Sequence, residues 1–385
     1  MSRPSILFAR LGAFSNINDS VLRELRNAFP DNHVIDVDIL EVAACEFNSV
    51  RNWISLAKEY GPDFLSRSKP ARRAKEWLVV TSHAYHAIRR KIREAARGRD
   101  ILFTFQTQSM FDGRIDDATP HFVYTDSTVL AYYTYHGVDP RSFLKSTEWM
   151  RLEPSIYEGA SLNFVFSHNQ RKSLTDQYGV PASKVVCAYC GSNAPFCRAA
   201  EEYGRHYGDK NVLFVGVNWE RKGGPLLLRA FLRLLAKHPT ATLTVVGCEP
   251  EVAHANVKVL GKLSLNRVDE EFAKASIFCM PTTQEPFGVV FVEAMHRKLP
   301  IVATNIGALP DMTESGVNGF LVGPGDEDAL HAALLRLLDS PELCEQMGES
   351  SRRRAVESYR WDHTGAIISE NIGRVLGAAG AQRAT

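Results

Sequence analysis

The sequence predicts an α/β protein built from two parallel-sheet domains. Three observations carry this. At 385 residues the chain exceeds what a single hydrophobic core usually fills. Short apolar runs rich in β-branched and aromatic residues recur along it and close on glycine or on a polar cluster, as buried parallel strands do. Residues 275–304 read as strand, helix and strand, a complete βαβ unit.

In chain order, residues 6–9 form a first strand, and the turn Arg10-Leu11-Gly12-Ala13-Phe14-Ser15 leads to a helix containing Val21, Leu22 and Leu25. Gly12 thus stands at a strand's carboxyl end, where ligands gather in an open α/β sheet. Residues 33–39 alternate as a second strand. Residues 67–99 then carry eleven basic side chains, interleaved with Trp77, Leu78, Val79, Val80, Ala84, Ala87, Ile88 and Ile92, against only Glu76 and Glu94. Such helices with basic edges either lie on an anionic membrane surface or present a solvated face. Residues 100–105 and 121–125 are further strands, the second closing on Asp126-Ser127-Thr128, a polar cluster at another carboxyl end. Residues 185–190 read as a buried strand. The polar stretch from Arg198 to Asp209 reads as an interdomain linker.

The second domain restarts with a buried strand, 211–215, closing on Gly216. Lys222 and Gly223 open the helix that follows, where a lysine either meets a diphosphate or is an ordinary surface cation. Strands at 242–246 and 257–260 close on Gly247 and Gly261, and residues 352–385 read as helix.

The most informative passage is Thr282-Thr283-Gln284-Glu285-Pro286-Phe287-Gly288-Val289-Val290-Phe291-Val292-Glu293-Ala294-Met295. Gly288 opens a helix with no side chain over the first-turn N–H groups, a place where phosphate binds well. Glu285 precedes that helix and either complements its dipole or contacts a ligand. Glu293 lies within it on an apolar surface, so its carboxylate needs a partner. A ribose diol would serve, as would His296 or Arg297.

Charge and composition exclude several classes. Lys plus Arg number 45 and Asp plus Glu 44, so net charge points to no nucleic-acid partner. No apolar run reaches ~18 residues, and the amino terminus is too short for a signal peptide, so a cytoplasmic protein is expected. Seven scattered cysteines form no disulfide framework. Cys187-x-x-Cys190, with Cys197 after it, is half of a zinc site with no second half, and no metal is expected. No internal repeat or low-complexity segment is present.

The passage from Glu285 to Met295 resembles the donor-site signature of family 4 retaining glycosyltransferases: Glu-Pro-Phe-Gly, then Glu-Ala-Met, with seven residues between the glutamates. Those enzymes have the GT-B fold, two Rossmann-like domains facing an interdomain cleft. The resemblance implies that Glu285 contacts the transferred sugar and Glu293 the ribose. It places Phe287, Gly288, Val289 and Val290 in the donor site. Gly216, Lys222 and Gly223 are similar to the family's Val-Gly-Arg…Lys-Gly element, whose cations grip the diphosphate. Val217 replaces the family arginine here, and Arg221 is the cation that stands in. Leu260, Gly261 and Lys262 match a loop that lies against the base through backbone contacts. Residues 304–307 and 318–326 continue the likeness. Gly191-Ser192-Asn193 resembles the end of the first domain, and Tyr359-Arg360-Trp361 the point where the last helix returns to brace it. In the first domain the family has a Gly-Gly pair where this chain has Gly12-Ala13, and a histidine where it has Ser127, leaving Asp126 as the acceptor-side candidate.

The expected domains are therefore 1–197, a linker 198–210, a donor domain 211–360 and a returning helix 361–385. The expected activity is transfer of a sugar, with retention, from a UDP- or GDP-linked donor to a glycan or lipid-linked acceptor in bacterial polysaccharide or glycoconjugate synthesis. Catalytic roles fall to Glu285, Asp126 and Lys222. No metal is invoked, since no Asp-x-Asp lies near these loops. No cofactor beyond the nucleotide-sugar co-substrate is expected, and the protein is placed peripherally on the inner membrane face through residues 67–99. A sugar-nucleotide epimerase, a phosphorylase with a lysine-bound pyridoxal group, or a non-catalytic nucleotide-sugar binding protein are the alternatives.

Overall fold

The computed structural model describes residues 3–14, 17–61, 78–135, 145–194 and 207–383, with side chains to residue 378. It divides into two units. The first comprises residues 1–131, 139–188 and 365–385, the second 132–138 and 189–364.

The first unit is built on a six-stranded sheet in the order β2-β1-β3-β4-β5-β6, with every pairing parallel. Its strands are β1 (Ser5–Arg10), β2 (Val34–Asp38), β3 (Ile101–Thr107), β4 (His121–Thr125), β5 (Leu162–Val165) and β6 (Val185–Cys187). Aromatic side chains fill the space beside the sheet: Phe103 meets Phe122 edge-on at 5.4 Å, and Phe105 stacks on Phe164 at 6.2 Å. The longer helices are α1 (Ile17–Ala28), α2 (Val50–Tyr60), α3 (Ser82–Ala96) and α4 (Thr147–Glu158). Ser49, Thr81 and Ser146 start α2, α3 and α4 by accepting a first-turn N–H.

The second unit repeats the architecture, in the order β12-β11-β10-β7-β8-β9, again with all strands parallel. Its strands are β7 (Asn211–Val215), β8 (Thr242–Val246), β9 (Val257–Gly261), β10 (Ile277–Met280), β11 (Ile301–Thr304) and β12 (Gly319–Val322). Around them run α5 (Gly224–Leu234), α6 (Leu265–Lys274), α7 (Val289–His296), α8 (Glu327–Leu338) and α9 (Pro341–Ser358). The last helix, α10 (Trp361–Arg383), begins in the second unit and from Gly365 onward belongs to the first. There it passes close to α1, since a Cβ on Gly365 would stand 3.0 Å from the Glu24 side chain.

Several expectations need correction. The strand expected over 185–190 stops at Cys187, because Tyr189 adopts a φ of 55°, which turns the chain out of the sheet. Strand β12 was not anticipated. The helix expected from 352 breaks at Tyr359, whose hydroxyl donates to the Asp311 carbonyl at 2.9 Å. The second unit begins at Tyr189 rather than after 197 and also takes in Tyr132–Val138. Residues 195–206, covering Cys197 and most of the expected linker, lie outside the described residues.

The largest correction concerns residues 67–99. Residues 67–77, with Trp77, lie outside the described residues, while Leu78, Val79, Val80, Ala84, Ile88 and Ile92 all belong to the first unit's buried core and Ala87 is buried too. The apolar stripe of α3 faces inward, so it offers nothing to a membrane. Of its cations, Arg90 pairs with Glu46 at 2.8 Å and Lys91 with Glu94 at 3.0 Å. No helix among the described residues is long and apolar enough to cross a membrane.

Candidate active site

Strand order reverses between β7 and β10: β8 and β9 extend the second sheet one way, β11 and β12 the other. The loops leaving the carboxyl ends of β7 and β10 therefore stand at the switch point, the usual ligand position in such sheets. These loops hold residues 216–223 and 281–288, which include most of the expected donor residues.

Hydrogen bonds tie the two loops together. The Arg221 carbonyl accepts from the Thr283 N–H at 2.9 Å and from the Thr282 and Thr283 hydroxyls at 3.2 and 3.0 Å. The Arg221 guanidinium returns a bond to the Gln284 carbonyl at 2.9 Å. Close approach is possible because Gly223, at φ 76°, has no Cβ; one there would lie 1.9 Å from the Pro281 carbonyl oxygen.

This framework brings Lys222 and Glu285 into a buried ion pair. Burial lowers the Lys222 pKa and the Glu285 carboxylate opposes that shift. Gly288 caps α7 at φ 96°, and a Cβ there would press on the Phe291 ring at 2.7 Å and on the Glu285 side chain at 3.0 Å. Glu285 and the start of α7 are thus held against each other, with Val289 and Val290 partly exposed on the first turn. Phe287 is buried and meets the Tyr359 ring at 6.1 Å.

Glu293 is partly buried one turn into α7. Neither suggested neighbour takes it: Arg297 forms a two-pronged pair with Asp269 at 2.5 Å, and His296 Nδ1 faces Arg352 at 2.9 Å. The His296 pKa is pushed down to about 4 by burial and then by Arg352, so the ring is neutral at pH 7. Glu293 instead accepts from the Ser192 hydroxyl at 3.0 Å. Burial pushes its pKa up to about 7, only partly offset by that bond.

Gly216 sits beside Gly247, whose N–H donates to the Gly261 carbonyl at 2.7 Å, so the loops after β7, β8 and β9 lie side by side. Leu260 and Lys262 are exposed there. Val217, in the place of the family arginine, is 78% exposed. Arg221 is the cation beside Lys222, and its charge also lowers the lysine's pKa.

In the first unit Gly12, Asp126 and Ser127 follow the carboxyl ends of β1 and β4. Gly12 is fixed by Asp38, which accepts its N–H at 3.1 Å, and by Asn18, which donates to its carbonyl at 2.6 Å. Asp36 and Asp38 are both engaged by Arg10, at 2.9 and 2.7 Å. The Ser127 hydroxyl turns back to the Thr128 carbonyl at 3.2 Å. Beneath them Glu153 accepts from the Val129 N–H and the Tyr157 and Tyr178 hydroxyls at 3.1, 2.9 and 2.7 Å.

Ser192, Tyr132 and Gln284 carried no assigned site role in the sequence. Ser192 is the partner of Glu293. The Tyr132 hydroxyl donates to Gln284 Oε1 at 2.5 Å, on the loop that carries Glu285. Their separations in the chain, 101 and 152 residues, left no local signal.

With this geometry in place, comparison with known proteins is informative. Residues 198–354 match the family model of glycosyl transferases group 1. The MMP alpha-(1->4)-mannosyltransferase of Mycolicibacterium hassiacum is 36% identical over 169 residues, covering 40% of this chain and 41% of that protein. The chain spans about two fifths of the length of the first curated relatives it matches. Among solved structures, sucrose-phosphate synthase from Thermosynechococcus elongatus superposes with a TM-score of 0.68 at 17% identity, covering 98% of this chain and 100% of that one. An Anabaena protein crystallised with UDP and glucose superposes with a TM-score of 0.62 at 15% identity, covering 96% of this chain and 100% of that one. Residues 198–354 thus carry a glycosyl transferases group 1 domain, and the chain shares the GT-B fold along its length.

Proposed function

We propose that the protein transfers a sugar, with retention and without a metal, from a UDP- or GDP-linked donor to a glycan or lipid-linked acceptor. The observation that carries this reading is the buried Lys222–Glu285 pair at the switch point between β7 and β10. A donor diphosphate gives Lys222 a second anion, with Arg221 and the α7 start at Gly288 adding positive potential. These groups stabilise the charge that grows on the leaving diphosphate as the glycosidic bond breaks. Glu285, released from Lys222, accepts from hydroxyls of the sugar and orients it. Glu293 accepts from the ribose diol. Asp126 is the acceptor-side candidate, on a loop that Glu153 supports from beneath. The UDP and glucose bound in the Anabaena structure and the relationship to a mannosyltransferase support a nucleotide-sugar donor.

A panel of UDP- and GDP-sugars tests this, read by thermal shift and by release of nucleoside diphosphate in the presence of EDTA. One donor at 100 times its dissociation constant should add about 2.7 kcal/mol of stability and be turned over. Tight binding without turnover of any donor, with or without a range of glycan and lipid-linked acceptors, would reduce the protein to a nucleotide-sugar binder. Turnover abolished by EDTA and restored by magnesium would remove the metal-free account.

A further inference from the structure

Glu249 is a carboxylate at the carboxyl end of the second sheet that none of the roles above uses. It follows β8, and its side chain lies over Gly261 at the end of β9: a Cβ there would stand 2.5 Å from Glu249 Oε1 and 3.2 Å from its Cδ. Gly261, at φ 62°, is buried beneath it. Among the described residues the Glu249 carboxylate has no ion pair or hydrogen bond, although Lys262 is next to Gly261.

On the proposed function the diphosphate lies at Lys222 and the start of α7, between β7 and β10, and the nucleoside extends to one flank. The β11 flank is filled. Gly307 packs on the Glu285 backbone so tightly that a Cβ would run into the Glu285 carbonyl oxygen, with the Tyr135 hydroxyl 2.8 Å away. The β8 flank is bare. Gly216 and Gly247 follow β7 and β8 side by side and are partly exposed, and a Cβ on Gly247 would stand 2.9 Å from the Gly216 carbonyl oxygen. Val217 and Leu260 are exposed to either side of them. A floor of backbone without side chains, with apolar groups beside it, suits the face of a flat ring.

Hydrogen-bond chemistry names the ring. A carboxylate only accepts. Guanine is the common base that offers two adjacent donors, N1–H and the N2 amino group, and the two oxygens of a carboxylate take them in parallel. Uracil sets a carbonyl oxygen on each side of its N–H. Adenine and cytosine set an unprotonated ring nitrogen beside their amino group, so each of the three turns a lone pair toward the same carboxylate. Reach agrees with this: strand ends ~4.8 Å apart put Gly261 about 10 Å from Gly216, so a purine laid on Gly216 and Gly247 brings its edge to Glu249.

We propose that Glu249 reads the base of the donor and selects guanine, making the co-substrate a GDP-sugar. This rests on the nucleotide-sugar reading above and narrows it to one base.

The test is calorimetric titration of the full chain with GDP, UDP and inosine diphosphate, which is GDP without the N2 amino group. Wild type should bind GDP about tenfold or more tighter than inosine diphosphate, and tighter than UDP by a larger factor. E249Q should lose about tenfold or more in GDP affinity, narrow the gap between GDP and inosine diphosphate to about twofold, and bind UDP no worse than wild type does. The substitution alters an exposed side chain, so the melting temperature should hold. The ratio of GDP to inosine diphosphate moves only if Glu249 meets the amino group, and a merely structural role would leave it unchanged. Equal affinity of wild type for these two nucleotides, tighter binding of UDP than of GDP, or an unchanged ratio in E249Q overturns the proposal. Turnover of a UDP-sugar alongside weak GDP binding would do so while leaving the transferase reading intact, whereas binding of no nucleotide would remove both.

Discussion

Glu293→Gln separates the role of this side chain in folding from its role in binding. In the free protein the Glu293 pKa is pushed up from 4.5 to about 7 by burial. A carboxyl whose folded pKa is raised holds a proton that the unfolded chain has released, so the stability it contributes is complete below about pH 4.5 and is lost as pH rises to about 7. At about 1.4 kcal/mol per pH unit the loss is on the order of 3 kcal/mol. A glutamine resembles the protonated acid in shape and charge and can still accept from Ser192. The free variant should therefore be more stable than wild type at pH 8, by up to about 3 kcal/mol, and equal to it near pH 4. For a cooperative unit of 150–250 residues that is a rise of roughly 6–12 °C at pH 8.

Nucleotide binding should move the other way. A ribose diol binds the ionised carboxylate through charge-assisted bonds, which the amide cannot match, so the variant should lose about 1.5–3 kcal/mol of affinity at pH 8. That is about a 10- to 150-fold higher Kd. In wild type, binding below pH 7 must also release the proton, so affinity should rise with pH through that value, whereas the variant's affinity should not. Thermal denaturation and calorimetric titration with UDP and GDP between pH 5 and 8.5 measure both. A variant no more stable than wild type at pH 8 would refute the burial argument. Unchanged affinity for every nucleotide would remove Glu293 from the donor site.

Lys222→Ala should lower kcat by about 10²–10³-fold, more than it weakens donor binding. It should also destabilise the protein, because it leaves Glu285 buried without its cation, and K222A/E285Q should recover part of that stability in denaturant titrations. Tyr132→Phe should lower kcat/KM by about 0.5–1.5 kcal/mol through the lost bond to Gln284, with nucleotide Kd unchanged; a double-mutant cycle with Q284A should show non-additivity. Gly223→Ala should destabilise the second unit by about 1–3 kcal/mol and weaken donor binding, because the methyl group meets the Pro281 carbonyl. An unshifted melting temperature would mean that the two loops do not need their close approach.

The sheets were legible because parallel strands are buried on both faces and read as unbroken apolar runs: residues 277–280 and 301–304 need no partner sequence to be recognised. Strand β12 was missed because Gly319 opens a short run after Asn318, which reads as a turn. It pairs with β11 so closely that a Cβ on Gly319 would stand 1.9 Å from the Ile301 carbonyl oxygen. The direction of amphipathic helices was only half legible. In α3 the apolar stripe points to the core, as periodicity implies, and its basic edge is the solvated face. In α2 the core takes Leu56 and Tyr60 together with the polar Asn52, while Val50, Trp53 and Ile54 stay exposed, so hydropathy alone does not define its inner face.

In the candidate site, the sequence identified the carboxylates, and the fold distinguishes their chemistry. Glu285 is paired with a lysine in the free protein, whereas Glu293 among the described residues is paired with a hydroxyl, and burial raises its pKa to about 7. On the proposed function a donor acts on these two states at once. Its diphosphate competes with Glu285 for Lys222 and frees that carboxylate to meet the sugar, while its ribose draws the proton off Glu293. A nucleoside diphosphate without its sugar supplies the first anion and the diol, but leaves the displaced Glu285 in a buried place with no hydroxyl to accept from. Sugar nucleotides should therefore bind more tightly than the matching nucleoside diphosphate, and E285Q, which has no charge to strand, should narrow that difference. Tighter binding of the bare diphosphate to wild type, with the order unchanged in E285Q, would show that Lys222 never exchanges Glu285 for the donor.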